Sequence, residues 1–326
     1  MPVSILGDFK PPKDAIRIEE EYRRAIRRNT RKIIVLDDDP TGIQTIHDIP
    51  VYTDWSEESI LNGFKEESGM FFILTNSRSF PAEKTANVHH TIANSIVEVS
   101  KRRKMDFILI SRSDSTLRGH YPLETQILKD ALEDGLGINI DGEILCPFFQ
   151  EGGRFTINNV HYVQNGKSII PAGKTEFAGD KTFGYTQSHL GKWIEEKTRG
   201  SFPENTVEYI SLDTIRQNDI DHIIRQLLSV ADFRKVVVNA IDYVDIRMSV
   251  RPAFIIAKGG ITSYDVATKG LYVKKAIAAG QIKPGVPVWI TGFESRYPGI
   301  PYIIFPGNVG NRKTLLEVAE ILVNRI

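Results

Sequence analysis

The feature that most constrains the fold is the alternation of short apolar runs with longer helical patterns. The apolar runs lie at 33–36, 70–75, 106–111, 143–146, 207–212 and 235–240. Helical patterns follow several of them, at 82–103, 123–133, 188–197 and 218–230. Apolar runs that are continuous, and that helices separate, predict a mostly parallel sheet covered by helices on both faces. We therefore expect an α/β fold.

Polar loops follow three of these predicted strands. They read DDDPTG from Asp37, TNSRSF from Thr75 and SRSDSTLRGH from Ser111. Ligands of open parallel sheets bind beyond the carboxyl ends of the strands, so we expect the three loops to meet at one ligand site.

Three adjacent carboxylates, Asp37, Asp38 and Asp39, directly follow the first predicted strand. Like charges repel one another and are costly to bury without partners, which indicates a site that uses negative charge. A metal or phosphoryl centre, a clamp for sugar hydroxyls and a solvated turn all remain open. Asp37, Asp39 and Thr41 also fit the D-x-D-x-T loop of haloacid-dehalogenase-like phosphatases, although no acidic pair that would close their magnesium site follows a later strand.

The loop SRSDSTLRGH carries two guanidiniums beside a carboxylate and hydroxyls. An arginine binds a carboxylate through two parallel hydrogen bonds, and an aspartate accepts hydrogen bonds from hydroxyls, so the loop suits a sugar acid. In the alternative interpretation its arginines form structural ion pairs with Asp114 or with the Asp37 group. Arg78, in TNSRSF, is able to join either arrangement. The candidate residues of this loop are Arg112, Asp114, Ser115 and Arg118.

Two glycine turns, in AKGGITSYDVA and FPGNVG, are of a kind that brings backbone N–H groups close to phosphates. No Walker sequence G-x-x-x-x-G-K-[ST] occurs in the chain. Ordinary tight turns explain such glycines equally well.

The charge balance favours a small partner. The 41 basic residues equal the 41 acidic ones, so no net field attracts nucleic acid or a membrane. Cys146 is the only cysteine, which excludes an internal disulfide, and the seven histidines show no metal-ligand spacing. The segment 14–32 predicts a charged amphipathic helix rather than a signal peptide, so we expect a cytoplasmic protein. That helix could also pack against a second copy of the chain in a homo-oligomer.

In combination and in order, the motifs resemble those of the four-carbon acid sugar kinases, which use ATP to phosphorylate threonate, erythronate or 3-oxo-tetronate at the terminal hydroxyl. They are DDDPTG, TNSRSF, SDSTLRG, CPFFQEGGRFT, TEFAGDKTFGY and WIEEKTRG, followed by KGGITSYDVA, PGVPVW and FPGNVG. The resemblance implies two α/β domains, each with a mostly parallel sheet flanked by helices, and an active site in the cleft between them. Residues 1–247 would bind the sugar acid, and 248–326 would bind the nucleotide. The segment 148–185 is itself rich in Gly, Thr and Asn and has a hairpin signal at Gln164-Asn165-Gly166, which predicts a β excursion or lid.

Carried over by position, the resemblance assigns individual roles. It places Thr41 and Gly42 with the aspartates in the substrate cleft, and Arg112, Asp114, Ser115 and Arg118 on the sugar acid. The residues it places at ATP are Gly259, Gly260, Ile261, Thr262 and Gly307. One of Asp37, Asp38 and Asp39 would orient or deprotonate the attacking hydroxyl, while basic residues and Mg²⁺ offset the phosphoryl charge. Which aspartate is the base, and which residues hold the metal, stay open.

The chain departs from the family pattern near Arg247 and Met248. Relatives place a long segment there, comparable to a small domain, between the strands matching VVVNAIDYVDI and RPAFIIAKGG. We expect either that residues of the whole protein are missing from the sequence or that this is a deletion with impaired ATP binding. A sugar-acid-binding protein without catalysis is therefore a second hypothesis.

Overall fold

The computed structural model describes residues 1–11, 29–40, 48–246, 255–258, 263–264, 267–268, 273–292, 295, 300–306 and 314–323. Most of the predicted N-terminal helix and the junction at Arg247 and Met248 lie outside these residues. Residues 29–31 of that predicted helix are described and are not helical.

Strands and helices alternate along most of the chain. The strands are β1 (Lys32–Asp37), β2 (Val51–Tyr52), β3 (Met70–Leu74), β4 (Phe107–Arg112), β5 (Gly142–Leu145), β6 (Arg154–Ile157), β7 (Val160–Asn165), β8 (Ser168–Pro171), β9 (Glu208–Ile210), β10 (Arg234–Val238), β11 (Ile255–Lys258), β12 (Ala276–Lys283), β13 (Val286–Thr291) and β14 (Pro301–Phe305). The α-helices are α1 (Glu57–Lys65), α2 (Ala82–Arg103), α3 (Leu123–Leu136), α4 (Leu190–Lys197), α5 (Leu212–Arg216), α6 (Ile220–Leu228), α7 (Tyr243–Ile246) and α8 (Thr314–Val323). Short 3-10 helices lie at Val3–Asp8, Ser77–Ser79, Ala172–Lys174, Glu176–Gly179 and Glu204–Thr206.

The chain divides into two compact units. The first comprises Met1–Asp219 and Arg225–Met248, and the second comprises Ile220–Ile224 and Ser249–Ile326. The assignment of sugar-acid binding to 1–247 and nucleotide binding to 248–326 stays a prediction.

The first unit contains two parallel sheets, which confirms the predicted α/β fold class. One has the strand order β2-β3-β1-β4, and the other has the order β5-β10-β9. Side chains of α1, α2 and α3 cover the larger sheet around Ile34, Phe71 and Ile92, all of which are fully buried. The continuous apolar runs therefore form buried strands, as the sequence predicts.

The segment 148–185 carries its own small sheet. Its strands β6, β7 and β8 pair antiparallel, and the turn between β7 and β8 contains Gly166 with a φ of 57°. A left-handed φ favours glycine, which explains the hairpin signal at this point.

The described sheet of the second unit is mixed, with the order β11-β14-β13-β12. Only the pair of β11 with β14 is parallel there. The prediction of a mostly parallel sheet thus holds for the first unit but not for this one. The reason is local, because Pro284 and Gly285 (φ 81°) form a two-residue turn between β12 and β13, and such a turn makes adjacent strands antiparallel.

The predicted strand at 207–212 is shorter in the structure, where β9 ends at Ile210. The Ser211 hydroxyl accepts a hydrogen bond from the Thr214 backbone N–H and caps helix α5. A capping serine stabilises a helix start, which ends the strand early.

Candidate functional site

The candidate site lies at the carboxyl ends of β1 and β4. These strands are parallel neighbours, and Asp37 stands opposite Arg112 at their ends. From β1 the chain passes to β3 on one side, and α2 then returns it to β4 on the other side. A reversal of this kind opens a crevice at the carboxyl ends of the strands, the place where such sheets bind ligands.

Asp37 is fully buried at the end of β1. Nη1 of Arg112 donates to both carboxylate oxygens of Asp37 at 3.2 Å, and the Asp39 backbone N–H donates to one of them at 3.3 Å. Burial raises the pKa of Asp37 to about 6, while the positive charge of Arg112 acts in the opposite direction.

Asp38 is also buried, and it is held from two sides. Nε and Nη2 of Arg78 donate to its two oxygens at 3.0 and 2.6 Å, and the Ser113 hydroxyl donates at 2.8 Å. Gly119 packs against this contact with a φ of 145°, and a Cβ atom there would lie 2.2 Å from Ser113 Oγ. A glycine at this position therefore allows the loop after β4 to approach the end of β1.

Asp39 differs from its two neighbours in exposure, because 27% of its side chain is accessible. Its carboxylate lies 3.3 Å from Nη1 of Arg78, so that one guanidinium bridges Asp38 and Asp39. Of the three aspartates, Asp39 offers the most accessible carboxylate to a ligand.

The loop after β4 is organised around Asp114. Its carboxylate accepts a hydrogen bond from Nε of Arg118 at 2.6 Å and another from the Thr116 backbone N–H at 3.2 Å. The Thr116 hydroxyl donates to the same carboxylate. The structural ion pairs proposed for the arginines are thus present, since Arg112 contacts Asp37 and Arg118 contacts Asp114.

A buried histidine, His161, contacts the backbone of the loop after β4. Nε2 of His161 lies 2.8 Å from the carbonyl oxygen of Ser115, and its Nδ1 lies 3.0 Å from the Thr156 hydroxyl. Complete burial lowers the pKa of His161 to about 4, so the ring is neutral at pH 7. The contact with His161 therefore positions the predicted site residue Ser115 through its backbone carbonyl group.

A second buried network supports the Arg78 turn. The Ser77 hydroxyl donates to the Glu124 carboxylate at 2.6 Å, and Nε2 of His89 lies 3.6 Å from the same oxygen. The Thr75 hydroxyl joins Ser77 to the carbonyl oxygen of Asp37. Burial raises the pKa of Glu124, and the nearby His89 opposes that rise.

Several predicted residues line one cavity of 320 Å³ in the first unit, beside β4 and β5. Its walls include Arg112, Asp114, Ser115, Arg118, Glu143 and Cys146. Burial raises the pKa of the Cys146 thiol to about 11, so it stays protonated and unreactive at neutral pH. A larger cavity of 770 Å³ is bordered by Gly119 and His120 and contains none of the predicted site residues.

Residues 33–259 match the family model described as the sugar-binding N-terminal domain. The chain belongs to this family, that of the four-carbon acid sugar kinases. No curated protein matches the chain in sequence.

Solved structures of the family resemble this chain at low identity. A Haemophilus influenzae protein of the DUF1537 family is 12% identical, with a TM-score of 0.48 over 89% of this chain and 100% of its own. A DUF1537 domain from Bordetella bronchiseptica, a domain-swapped dimer with bound citrate, is 14% identical, with a TM-score of 0.39 over 89% of this chain and 98% of its own.

One basic residue of the sugar-binding domain escaped the sequence analysis. Arg154, in the motif CPFFQEGGRFT, starts β6, and its guanidinium carbon lies 5.5 Å from the centre of the Phe177 ring. The guanidinium carbon of Arg118 lies 5.0 Å from the same centre. The motif itself was the available signal, but neither the spacing nor the strand pattern links Arg154 to Arg118.

The remaining predicted positions of this family member are not described by the structure. Thr41, Gly42, Gly259, Gly260, Ile261, Thr262 and Gly307 lie outside the described residues. Within the described part, no group of three or more His, Cys, Asp or Glu side chains is arranged to hold a metal ion. None of the described helices is long and apolar enough to cross a bilayer.

Proposed function

We propose that the protein is an ATP-dependent kinase that phosphorylates the terminal hydroxyl of a four-carbon sugar acid: threonate, erythronate or 3-oxo-tetronate. One observation carries the proposal: Arg78 bridges Asp39, the most accessible of the three aspartates, to Asp38, and Asp38 accepts a hydrogen bond from Ser113, which lines the same cavity as Arg112, Asp114 and Arg118. Membership of a sugar-binding family supports a sugar acid as the ligand.

The cavity suits a small polyhydroxy acid in size and in chemistry. Its 320 Å³ is at the lower end of ordinary ligand pockets, which favours a four-carbon substrate over a longer one. Arg118 is a donor for a carboxylate, whereas Asp114 is an acceptor for hydroxyls. A neutral sugar would use only the second of these groups.

The three aspartates have different roles in this proposal. Asp37 and Asp38 are buried and bonded to arginines, so they hold Arg112 and Arg78 in position. Asp39 contacts the substrate, where it orients the terminal hydroxyl and accepts its proton. Positioning and charge stabilisation supply most of the catalysis in phosphoryl transfer, so this division fits the reaction.

ATP and Mg²⁺ are the proposed cosubstrate and cofactor. Mg²⁺ in kinases is bound by one or two protein carboxylates together with phosphate oxygens, so ATP itself would bring several of its ligands. When bound, Mg²⁺ would offset charge on the phosphates. Gly259, Gly260, Ile261, Thr262 and Gly307 are proposed to contact ATP. We also propose that the protein acts in the cytoplasm.

The test is ATP consumption by the purified protein with each of the three acids. We expect turnover with one of them, and we expect Asp39→Asn to lower kcat by about 10²- to 10⁴-fold because the hydroxyl loses its base. Asp134→Asn, an exposed change on α3, is the matched control and should leave kcat unchanged.

The rival functions give different results in the same assay. A sugar-acid-binding protein without catalysis would bind a tetronate but consume no ATP. A phosphatase would release phosphate from a sugar phosphate without nucleotide and would lose that activity in Asp37→Asn. The buried position of Asp37 disfavours the phosphatase, because a nucleophile must reach its substrate.

A further inference from the structure

Arg154 differs from the other arginines near the cavity in having no carboxylate partner. Arg78, Arg112 and Arg118 each lie within 3.3 Å of an aspartate oxygen. Within the described part of the chain, Arg154 makes no ion pair. Its Nη1 donates to the carbonyl oxygen of Gly152 in its own loop, and its buried Nε has no hydrogen-bond partner.

A half-buried cation without a partner is costly, because its charge has lost part of its hydration. Burial lowers the pKa of Arg154, and although Asp114 opposes this effect, the positive charge of Arg118 adds to it. An arginine nevertheless stays protonated in proteins, so the site carries a positive charge that no neighbouring side chain neutralises through a direct contact. An anion bound there would remove this cost.

The aromatic ring of Phe177 brings the second guanidinium close. The guanidinium carbons of Arg118 and Arg154 lie 5.0 and 5.5 Å from the ring centre. Contact with an aromatic ring fixes the plane of a guanidinium and leaves its edge N–H groups free to donate. Arg118 uses Nε for Asp114, and its Nη1 lies 3.9 Å from an oxygen of Asp180, which is beyond hydrogen-bond distance, so its terminal nitrogens can still donate to a ligand.

We infer that Arg118 and Arg154, held on the ring of Phe177, bind the carboxylate of the sugar acid. This inference rests on the proposed function and deepens it, because it makes Arg154 the residue that distinguishes an acid from the corresponding sugar alcohol. Two guanidinium groups supply the parallel N–H donors that a carboxylate accepts best. Asp114 then contacts the hydroxyls, since it repels the carboxylate.

The experiment compares a tetronate with the tetritol of the same stereochemistry, which lacks only the carboxylate charge. Calorimetry on the whole protein measures both affinities for the wild type, Arg154→Gln, Arg154→Lys and the control Arg103→Gln. Arg103 is exposed at the end of α2 and has the same charge. We expect Arg154→Gln to weaken tetronate binding roughly 10- to 100-fold and to leave tetritol binding unchanged.

Arg154→Lys keeps the positive charge but lacks the planar pair of guanidinium N–H donors. Its tetronate affinity should therefore lie between those of the wild type and Arg154→Gln. Arg103→Gln should bind as the wild type does. If Arg154→Gln keeps the wild-type affinity for the tetronate, or weakens tetronate and tetritol equally, the inference is overturned.

Failure of the inference and failure of the proposed kinase can be told apart. A wild type that binds the tetronate through Arg154 but consumes no ATP refutes the kinase alone. A kinase whose Arg154→Gln variant has an unchanged KM for the tetronate and a raised KM for ATP refutes the inference alone, because Arg154 would then serve a phosphate. A wild type that binds no tetronate overturns both.

Discussion

Two groups of charged residues in the first unit differ in how completely their charges are paired. In the strand-end cluster, formed by Asp37, Asp38, Arg78 and Arg112, each buried carboxylate is bonded to its own guanidinium. In the Phe177 cluster, formed by Phe177, Arg118, Arg154 and Asp114, the carboxylate of Asp114 is bonded to Arg118, whereas Arg154 is bonded to no carboxylate. The paired charges of the strand-end cluster stabilise the structure of the site, whereas the charge of Arg154 is available to a ligand.

Burial explains why the strand-end cluster is fully paired. Asp37 and Asp38 have almost no exposed surface, so ionised carboxylates there would be very unfavourable without partners. Arg118, by contrast, keeps 27% of its side chain exposed, so water can hydrate those N–H groups that have no partner in the protein. Two of the three adjacent aspartates, Asp37 and Asp38, are therefore occupied by ion pairs, and Asp39 is the most accessible of the three.

The largest expected effect comes from breaking one pair of the strand-end cluster. Arg78→Met keeps the unbranched stem of the side chain but leaves the carboxylate of Asp38 with only the Ser113 hydroxyl. An unpaired buried charge is costly, so we expect the free energy of unfolding to fall by about 3–5 kcal/mol. Urea unfolding at pH 7 measures the change.

Arg154→Met is the matched comparison for this prediction, because it removes the same kind of side chain without breaking an ion pair. We expect it to change the free energy of unfolding by less than about 1 kcal/mol, because it leaves no buried carboxylate without its partner. Equal losses in the two variants would mean that pairing does not distinguish the two clusters.

The second prediction concerns the histidine that holds the loop of the Phe177 cluster. The folded-state pKa of His161, about 4, lies below its unfolded value of 6.5. The stability that the neutral ring contributes is therefore present above pH 6.5 and is lost as pH falls towards 4. Between pH 7 and pH 5 the wild type should lose roughly 2 kcal/mol more than His161→Gln, measured by urea unfolding at each pH.

His161→Gln retains an amide donor for the carbonyl oxygen of Ser115 and removes the titrating group. If both proteins lose the same free energy between pH 7 and pH 5, another group accounts for the acid sensitivity. The loop SDSTLRG would then not depend on a neutral imidazole.

The sequence predicted the sheet of the first unit and the meeting of the three polar loops well, for a physical reason. Continuous apolar runs such as 33–36 and 70–75 are buried on both faces only in a covered parallel sheet, and the order of strands and helices then brings the polar loops to one edge. Helix α2 matches its predicted range, because apolar residues recur along one face until Lys104 adopts a left-handed conformation.

The pairing of charges could not be predicted in the same way. Arg78, Arg112 and Arg118 all lie on loops that are predicted to meet the aspartates at one edge of the sheet, so the sequence does not favour any particular pair. Only the three-dimensional arrangement shows that Asp38 pairs with Arg78 and Asp37 with Arg112. Arg154 and Phe177 belong to segments that meet Arg118 through tertiary packing, which no local pattern records. The mixed sheet of the second unit likewise depends on one two-residue turn.

The smallest expected effect tests the balance of burial and pairing at Asp37. Its folded-state pKa, about 6, lies above the usual value of 3.8, so the stabilisation from its protonated form is complete below pH 3.8 and is lost as pH rises through 6. Between pH 5 and pH 7 the wild type should lose roughly 1 kcal/mol relative to Asp37→Asn, in urea unfolding at each pH. This change has the opposite sign to that of His161, so the two variants must be compared separately with the wild type. If Asp37→Asn and the wild type have the same profile, Asp37 is already ionised at pH 5, and the contact with Arg112 outweighs the cost of burial.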